Sequence, residues 1–237
     1  MDKKEFENII KKVQYKTKYE PIVDVKNQNK IFAYEALSKF EIDENIISTE
    51  EIFRRLHYQN NLFFELEKRN KIEQINNYNR EEKLFLNFDA DIVKTDEQKR
   101  YWSNFLTKHK NNIVVEITEN GSDDEVSSSI MRSFATWLRD KQISSALDDF
   151  AQDGSMFSFF IMDRCSYIKI DKSFLKQIKQ NKNYITYLSG VLQTIRNNGQ
   201  KSIIEGVETK EDIRLVNDYL HCDYVQGYYF SDLIMVR

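Results

Sequence analysis

The residues best equipped for chemistry in this chain are carboxylates and amides that close short apolar runs. Asn87 stands near the end of LFLNF, Glu116 and Glu119 near the end of IVVEITE, and Asp148 and Asp149 close SSALDD. Lys169 and Asp171 end YIKID, Glu205 and Glu208 follow SII, Gln226 follows DYV, and Glu35 lies inside FAYEAL. Carboxylates gathered in one place repel one another, so a cluster of them must take up protons or bind cations. Carboxylate and amide oxygens are hard donors, suited to Mg2+ or Mn2+ rather than to Zn2+ or copper. The chain has only three His, which argues against a His-rich zinc centre. An adjacent pair such as Asp148–Asp149 can help hold two ions about 4 Å apart, the geometry that activates water for in-line displacement at phosphorus.

Taken singly, each of these residues has an ordinary explanation. A lone acid at a strand end is commonly solvated or caps a helix, and Asp-Asp commonly forms a turn. Gln226 can simply bond neighbouring backbone, and Lys169 can reach outward along its stem. What favours chemistry is recurrence at the ends of successive runs. No nucleophile–base spacing supports a Ser-His-Asp hydrolase, and there is no Gly-rich phosphate loop.

These residues need elements to position them. Phe6, Ile9, Ile10 and Val13 at helical spacing predict a helix over 2–14. Residues 19–25 and 31–40 predict two strands, and the short polar link KNQNK pairs them as an antiparallel hairpin. Runs at 84–88, 113–118, 144–149, 167–171, 202–205 and 223–226 predict six further strands with helices between them. Ser48 with Glu51, Thr95 with Gln98, and Ser122 with Glu125 have capping-box spacing. Val126, Ile130, Phe134, Trp137 and Leu138 form one apolar stripe, which reads as core. Strands alternating with helices predict an α/β fold, a (β/α)8 TIM-like barrel with one antiparallel strand near the N-terminus. An open doubly wound sheet is the alternative. In a barrel the C-terminal ends of the parallel strands share one mouth, where these polar residues would meet.

Composition narrows the classes. The chain has 237 residues, 41% hydrophobic and 31% charged, enough apolar material for a sizeable core. No run of 18 apolar residues predicts a membrane span, and the start lacks the apolar segment of a signal peptide. A net charge of -3 gives no basic footprint for a nucleic-acid polymer. Two isolated cysteines, Cys165 and Cys222, suit a reducing cytoplasm. Six Gly and one Pro leave no marked linker, so a single domain over 1–237 is expected.

In these residues the sequence resembles the EAL-domain family, bacterial phosphodiesterases that hydrolyse the second messenger cyclic di-GMP. The motifs read Glu35-Ala36-Leu37, LFLNF with Asn87, Glu116-Ile117-Thr118-Glu119, Ala146-Leu147-Asp148-Asp149-Phe150 and Ile168-Lys169-Ile170-Asp171. Glu205-Gly206-Val207-Glu208-Thr209 and Cys222-Asp223-Tyr224-Val225-Gln226-Gly227-Tyr228 follow in order. The resemblance implies that Glu35, Asn87, Glu116 and Asp148 hold one Mg2+ or Mn2+, and that Asp148 and Asp149 serve a second. It implies that Lys169 and Glu205 position and help deprotonate water, with Asp171 supporting them. Leu37, Lys39 and Gln226 would line the substrate pocket, and Glu119 would hold the loop after Asp149. The product from cyclic di-GMP would be linear pGpG. The family often forms homodimers through the element after the double aspartate, where Met156, Phe157, Phe159 and Phe160 lie, although core packing explains those side chains equally well. A stand-alone domain is expected, with a cyclic di-GMP receptor or protein-interaction module as the alternative function.

Four positions depart from the family pattern. Glu20 replaces a Gln, which puts a repulsive charge near an anionic substrate unless it points away or is protonated. Lys39 replaces an Arg and loses the bidentate fork. Ala151-Gln152-Asp153-Gly154 replaces a Gly-Thr-Gly-like turn, and alanine is expected to steer the loop away from positive φ. Ser231-Asp232-Leu233 replaces an end carrying Arg. All four concern substrate binding or the loop, so retained chemistry with lower affinity or altered regulation is expected.

Overall fold

A computed structural model describes residues 12–42, 45–56, 59–117, 125–152 and 158–236. Most of the helix expected over 2–14, the Ser122 cap, Glu119, and Met156 and Phe157 lie outside these residues. Strand β1 (Gln14–Asp24) starts five residues earlier than the sequence suggests. Gln14, expected to end a helix, is its first residue. The reason is a period of two: Thr17 and Tyr19 are buried, while Lys16, Lys18 and Glu20 alternate with them on the more exposed face. The Tyr19 hydroxyl donates to the carbonyl of Gln74 at 2.8 Å, which fixes the outward face of the strand.

A turn at residues 25–30, organised by the Asp24 carboxylate accepting from the amides of Lys26 and Asn27, leads into β2 (Ile31–Ile42). The remaining strands are β3 (Asn45–Ile47), β4 (Lys83–Phe88), β5 (Ile113–Ile117), β6 (Ser145–Phe150), β7 (Tyr167–Ile170), β8 (Lys201–Ile204), β9 (Tyr224–Gln226) and β10 (Met235–Val236). Eight of them close into a ring, in the order β1, β2, β4, β5, β6, β7, β8, β9 and back to β1. β1 is antiparallel to both neighbours, and the other pairings of the ring are parallel. Closure through β1 rules out the open sheet. The short β3 and β10 extend the edges of β2 and β1.

Helices connect the strands: α1 (Thr49–Leu56), α2 (Asn60–Asn76), α3 (Asp96–His109), α4 (Glu125–Asp140), α5 (Phe159–Met162), α6 (Lys172–Gln180), α7 (Asn183–Asn197) and α8 (Lys210–Tyr219). α3 begins with the full Thr95/Gln98 capping box and buries Trp102 and Leu106. Phe134 and Leu138 of α4 are buried, with Ile130 and Trp137 packed beside them, as the stripe predicts. No helix among the described residues is long and apolar enough to cross a membrane.

Apolar residues form two compartments. The larger lies between strands and helices. The smaller fills the barrel lumen with Ile22, Ala33, Phe85, Val114, Ala146, Tyr167 and Ile203, joined by Phe32 and Tyr224. This plug is the floor on which the polar residues stand.

Candidate active site at the barrel mouth

One step of the strand period separates the apolar floor from a polar layer. Two residues beyond Ala33, Phe85, Val114, Ala146, Tyr167, Ile203 and Tyr224 come Glu35, Asn87, Glu116, Asp148, Lys169, Glu205 and Gln226. Side chains at i and i+2 share a face, so each polar residue points where its apolar predecessor points, one step nearer the mouth. In β1, which runs the other way, the residue two before Ile22 is Glu20. Every strand of the ring therefore contributes one apolar and one polar lumen residue.

Lys169 stands at the centre and is almost fully buried. Its Nζ lies 2.7 Å from Glu116 Oε1, 2.8 Å from Asp148 Oδ1, 2.9 Å from Glu205 Oε1 and 3.2 Å from Glu35 Oε2. Glu35 also accepts from Asn87 Nδ2 at 2.9 Å and from Gln226 Nε2 at 2.6 Å. Glu116 Oε1 and Asp148 Oδ1 are within ion-pair distance of Lys169 without aligned hydrogen bonds, and Glu116 Oε2 has no hydrogen-bond partner among the described residues. A buried, unpartnered carboxylate oxygen is costly unless something else satisfies it.

The electrostatics show the same imbalance. With Asp149, five carboxylates face one ammonium. Burial pushes the Glu116 carboxyl well above its usual range, reinforced by Glu35 and Asp148. Burial likewise raises Asp148 against the pull of Lys169. Glu205 is pushed up to about 8 by burial, with Asp148 and Glu35 adding to the effect. Asp149 is pushed up to about 6 by burial and by Asp148. Glu35 goes the other way: burial would raise it, but Lys169 and the hydrogen bonds from Gln226 and Asn87 hold it below its usual value. For Lys169 burial favours the neutral form, and Asp148, Glu116, Glu205 and Glu35 together overcome it, so the ammonium is strongly retained.

Two groups of ligand atoms suit a hard cation. Oxygens of Glu35, Glu116 and Asp148 lie within 4.8 Å of one another, and so do those of Asp148, Asp149 and Glu205. Asp148 belongs to both groups. The donors are oxygen throughout, and both cysteines are buried elsewhere, in the core cluster outside the barrel lumen. The donor set, the excess of negative charge and the orphaned Glu116 oxygen all fit a pair of divalent cations.

The structure thus gathers Glu35, Asn87, Glu116, Asp148, Asp149, Lys169, Glu205 and Gln226. Asp171 does something plainer: its carboxylate accepts from the Ser173 amide at 2.8 Å and caps α6, although its charge also helps raise Asp149. Leu37 and Lys39 continue the lumen face of β2 beyond Glu35, half-buried, and Lys39 has no ion pair among the described residues. Glu119 lies outside the described residues. The expectation that Ala151 would avoid positive φ is corrected: Ala151 has φ +63° and Asp149 φ +53°, where the β6–β7 register breaks between Leu147 and Phe150. The turn takes left-handed backbone with an alanine in it. Sequence reasoning treated Glu20 only as a substitution and missed it as a wall residue; counting back two from Ile22 on the reversed strand finds it.

Two glycines bring backbone close behind the rim. A Cβ at Gly206 (φ +69°), next to Glu205, would collide with the side chain of Lys172. One at Gly227, next to Gln226, would collide with the backbone of Val207.

Comparison with known proteins agrees with this architecture. The EAL domain family model matches residues 3–232. The probable cyclic di-GMP phosphodiesterase PdeG of Escherichia coli is 32% identical over 152 residues, 61% of this chain and 29% of that protein. The cyclic di-GMP phosphodiesterase RocR of Pseudomonas aeruginosa is 30% identical over 120 residues, 50% of this chain and 30% of that protein. These alignments span under a third of the relatives' length. An EAL domain protein from Listeria monocytogenes superposes with TM-score 0.75 at 22% identity, covering 97% of this chain and 92% of its own. The Bacillus subtilis YkuI protein, solved with cyclic di-GMP and calcium, superposes with TM-score 0.75 at 20% identity over 97% of this chain and 58% of its own. With a family match over nearly its whole length and the same closed barrel, the chain belongs to the EAL domain family.

Proposed function

We propose that this protein hydrolyses one phosphodiester of cyclic di-GMP to give linear pGpG, using two divalent cations, Mg2+ or Mn2+. One observation carries the reading: four carboxylates from β2, β5, β6 and the end of β8 converge on a single buried ammonium with a fifth, Asp149, beside them, and Glu116 Oε2 has no hydrogen-bond partner among the described residues. On this reading Glu35, Asn87, Glu116 and Asp148 hold one cation, and Asp148 and Asp149 serve the other. Cations held there would supply a lowered pKa for water and neutralisation of charge on the phosphoryl oxygens.

The chain's own groups do the rest. Asn87 and Gln226 donate to Glu35 and fix its carboxylate, while Gln226 and Leu37 line the substrate pocket and Lys39 adds a positive charge. Lys169 keeps its protons and orients the carboxylates around it, Glu205 included. Glu205 Oε1 takes the proton from the attacking water. That water forms a bond to phosphorus as the bond to the 3′ oxygen breaks, and the proton held by Glu205 is passed on to the departing 3′ oxygen to give the free hydroxyl. Asp171 holds the start of α6 and, through its charge, acts on Asp149. Glu119 is assigned to the loop after Asp149.

The test is direct. Purified protein with Mn2+ or Mg2+ should convert cyclic di-GMP to pGpG, and Glu35→Ala should abolish this with an unchanged circular dichroism spectrum. No pGpG over a wide concentration range would overturn the reading. A single catalytic domain over 1–237, a cytoplasmic setting and a homodimer complete it. Phe159 and Phe160, 64% and 40% exposed, mark the proposed dimer surface. Light scattering that shows a monomer at high concentration would remove that last part.

A further inference from the structure

Lys18 and Glu20 face the lumen side of β1. Ile22, on the same face, belongs to the lumen plug, while Tyr15 and Tyr19 turn outward to the helices. Across the β1–β2 ladder Glu20 is paired with Glu35, and Lys18 with Leu37. Like charges directly opposite on one face of an antiparallel pair are destabilising. Glu20 would also add a sixth carboxylate to a rim that must admit an anion. It does not stand free: Lys18 Nζ makes an ion pair with Glu20 Oε1. The two side chains keep 33% and 23% of their exposure, so the pair borders the mouth instead of the sealed interior. Lys39 lies on the same face of the hairpin without an ion pair among the described residues. Lys16, across from Lys39, is taken up by Glu41 at 2.6 Å.

We infer that Lys18, held over the mouth by Glu20, is a binding residue for a phosphodiester of the ligand and forms the cationic edge of the site together with Lys39. The inference rests on the phosphodiesterase reading above. An ammonium has three N–H donors, so Lys18 can keep Glu20 and still donate to a phosphate oxygen. A second ammonium on the hairpin offsets the fork lost when lysine stands at position 39. Glu20 does not point away; its charge is matched by Lys18 within its own strand.

The experiment uses the full chain, cyclic di-GMP and Ca2+, with calorimetric binding beside steady-state turnover in Mn2+. Lys18→Met should raise Kd at least about tenfold, the worth of one charge-assisted hydrogen bond. KM should rise with it, while kcat and the thermal shift given by Mn2+ alone stay near wild type. Lys18→Arg should bind within about threefold of wild type. Adding Glu20→Gln to Lys18→Met should recover part of the loss, because the uncovered carboxylate is gone. Wild-type affinity in Lys18→Met would overturn this inference and leave the phosphodiesterase reading standing. Loss of kcat and of the Mn2+ shift along with affinity would also overturn it, since Lys18 would then only support Glu35. If wild type neither binds cyclic di-GMP nor forms pGpG, the functional reading falls and takes this one with it.

Discussion

Among the described residues two lysines are buried to the same degree, and they live in opposite circumstances. Lys71 of α2, 1% exposed, pairs with one carboxylate, Glu67, at 2.8 Å and lies over the ring of Phe88 at 5.2 Å. Glu67 also accepts from Asn70 at 2.9 Å. Charge is balanced one to one. Lys169, equally buried, has four carboxylates around it and a fifth nearby. The first arrangement is complete as it stands. The second is short of positive charge, and that shortage separates a place with the ligands to hold a cation from one that packs helix against strand.

The comparison can be broken by swapping the roles. Glu116→Gln removes a carboxylate whose charge the fold already disfavours. Turnover should fall by at least about 10²–10³-fold, while the metal-free protein melts at or above the wild-type temperature. A large drop in melting temperature with turnover preserved would reverse the assignment. Glu67→Gln should do the converse. It strands the Lys71 ammonium, at a cost of about 3–5 kcal/mol, or roughly 6–20 °C in Tm for a chain of this size. Turnover per folded molecule should be retained. Replacing both members by Met should recover much of that loss.

Acid–base behaviour sharpens the contrast. Asp149 and Glu205 have carboxyls raised to about 6 and about 8 by burial, above their values in the unfolded chain. The folded protein therefore holds protons that the unfolded chain has already released. Stability conferred by these groups is lost as pH rises from about 4 through about 6 and then about 8. Melting curves in EDTA should show this decline, and Mn2+ should flatten it because cations replace the protons. An identical pH profile with and without Mn2+ would contradict this. The smallest effect concerns Ala151→Gly, which relieves a left-handed alanine at an entropic cost. It should stabilise by no more than about 1 kcal/mol, read as a shift in the denaturant midpoint.

Much of the barrel was legible because each apolar run is a strand and the polar residue that closes it shares a face with the residue two before. That rule holds at Asn87, Glu116, Asp148, Lys169 and Gln226. It leaves open which face is the lumen, so Lys169 had two readings until the ring closed. β1 was harder, since its outer half, Gln14–Lys18 in sequence, carries polar residues that read as non-strand. The pair on α2 was invisible for a different reason. Glu67, Asn70, Lys71 and Gln74 look like a solvated face, yet all are buried: Asn70 and Gln74 bond to β2, where Gln74 Nε2 donates to the carbonyl of Ala36 at 3.1 Å, and Lys71 lies over Phe88 of β4. Tertiary contact decides that, and no local period reports it. Asp171 shows the limit of motifs, since its clearest job is an ordinary helix cap.

Gly206 and Gly227 mark where the rim has no room for a side chain. A methyl group at either position would collide with Lys172 or with the Val207 backbone, so at these two points behind β8 and β9 a side chain cannot be added without moving a neighbour. The β1–β2 hairpin carries no such lock, and its Lys18, Glu20 and Lys39 are part-open to solvent. Side-chain changes on that hairpin meet no backbone collision of this kind, which makes it the natural segment for a redesigned library.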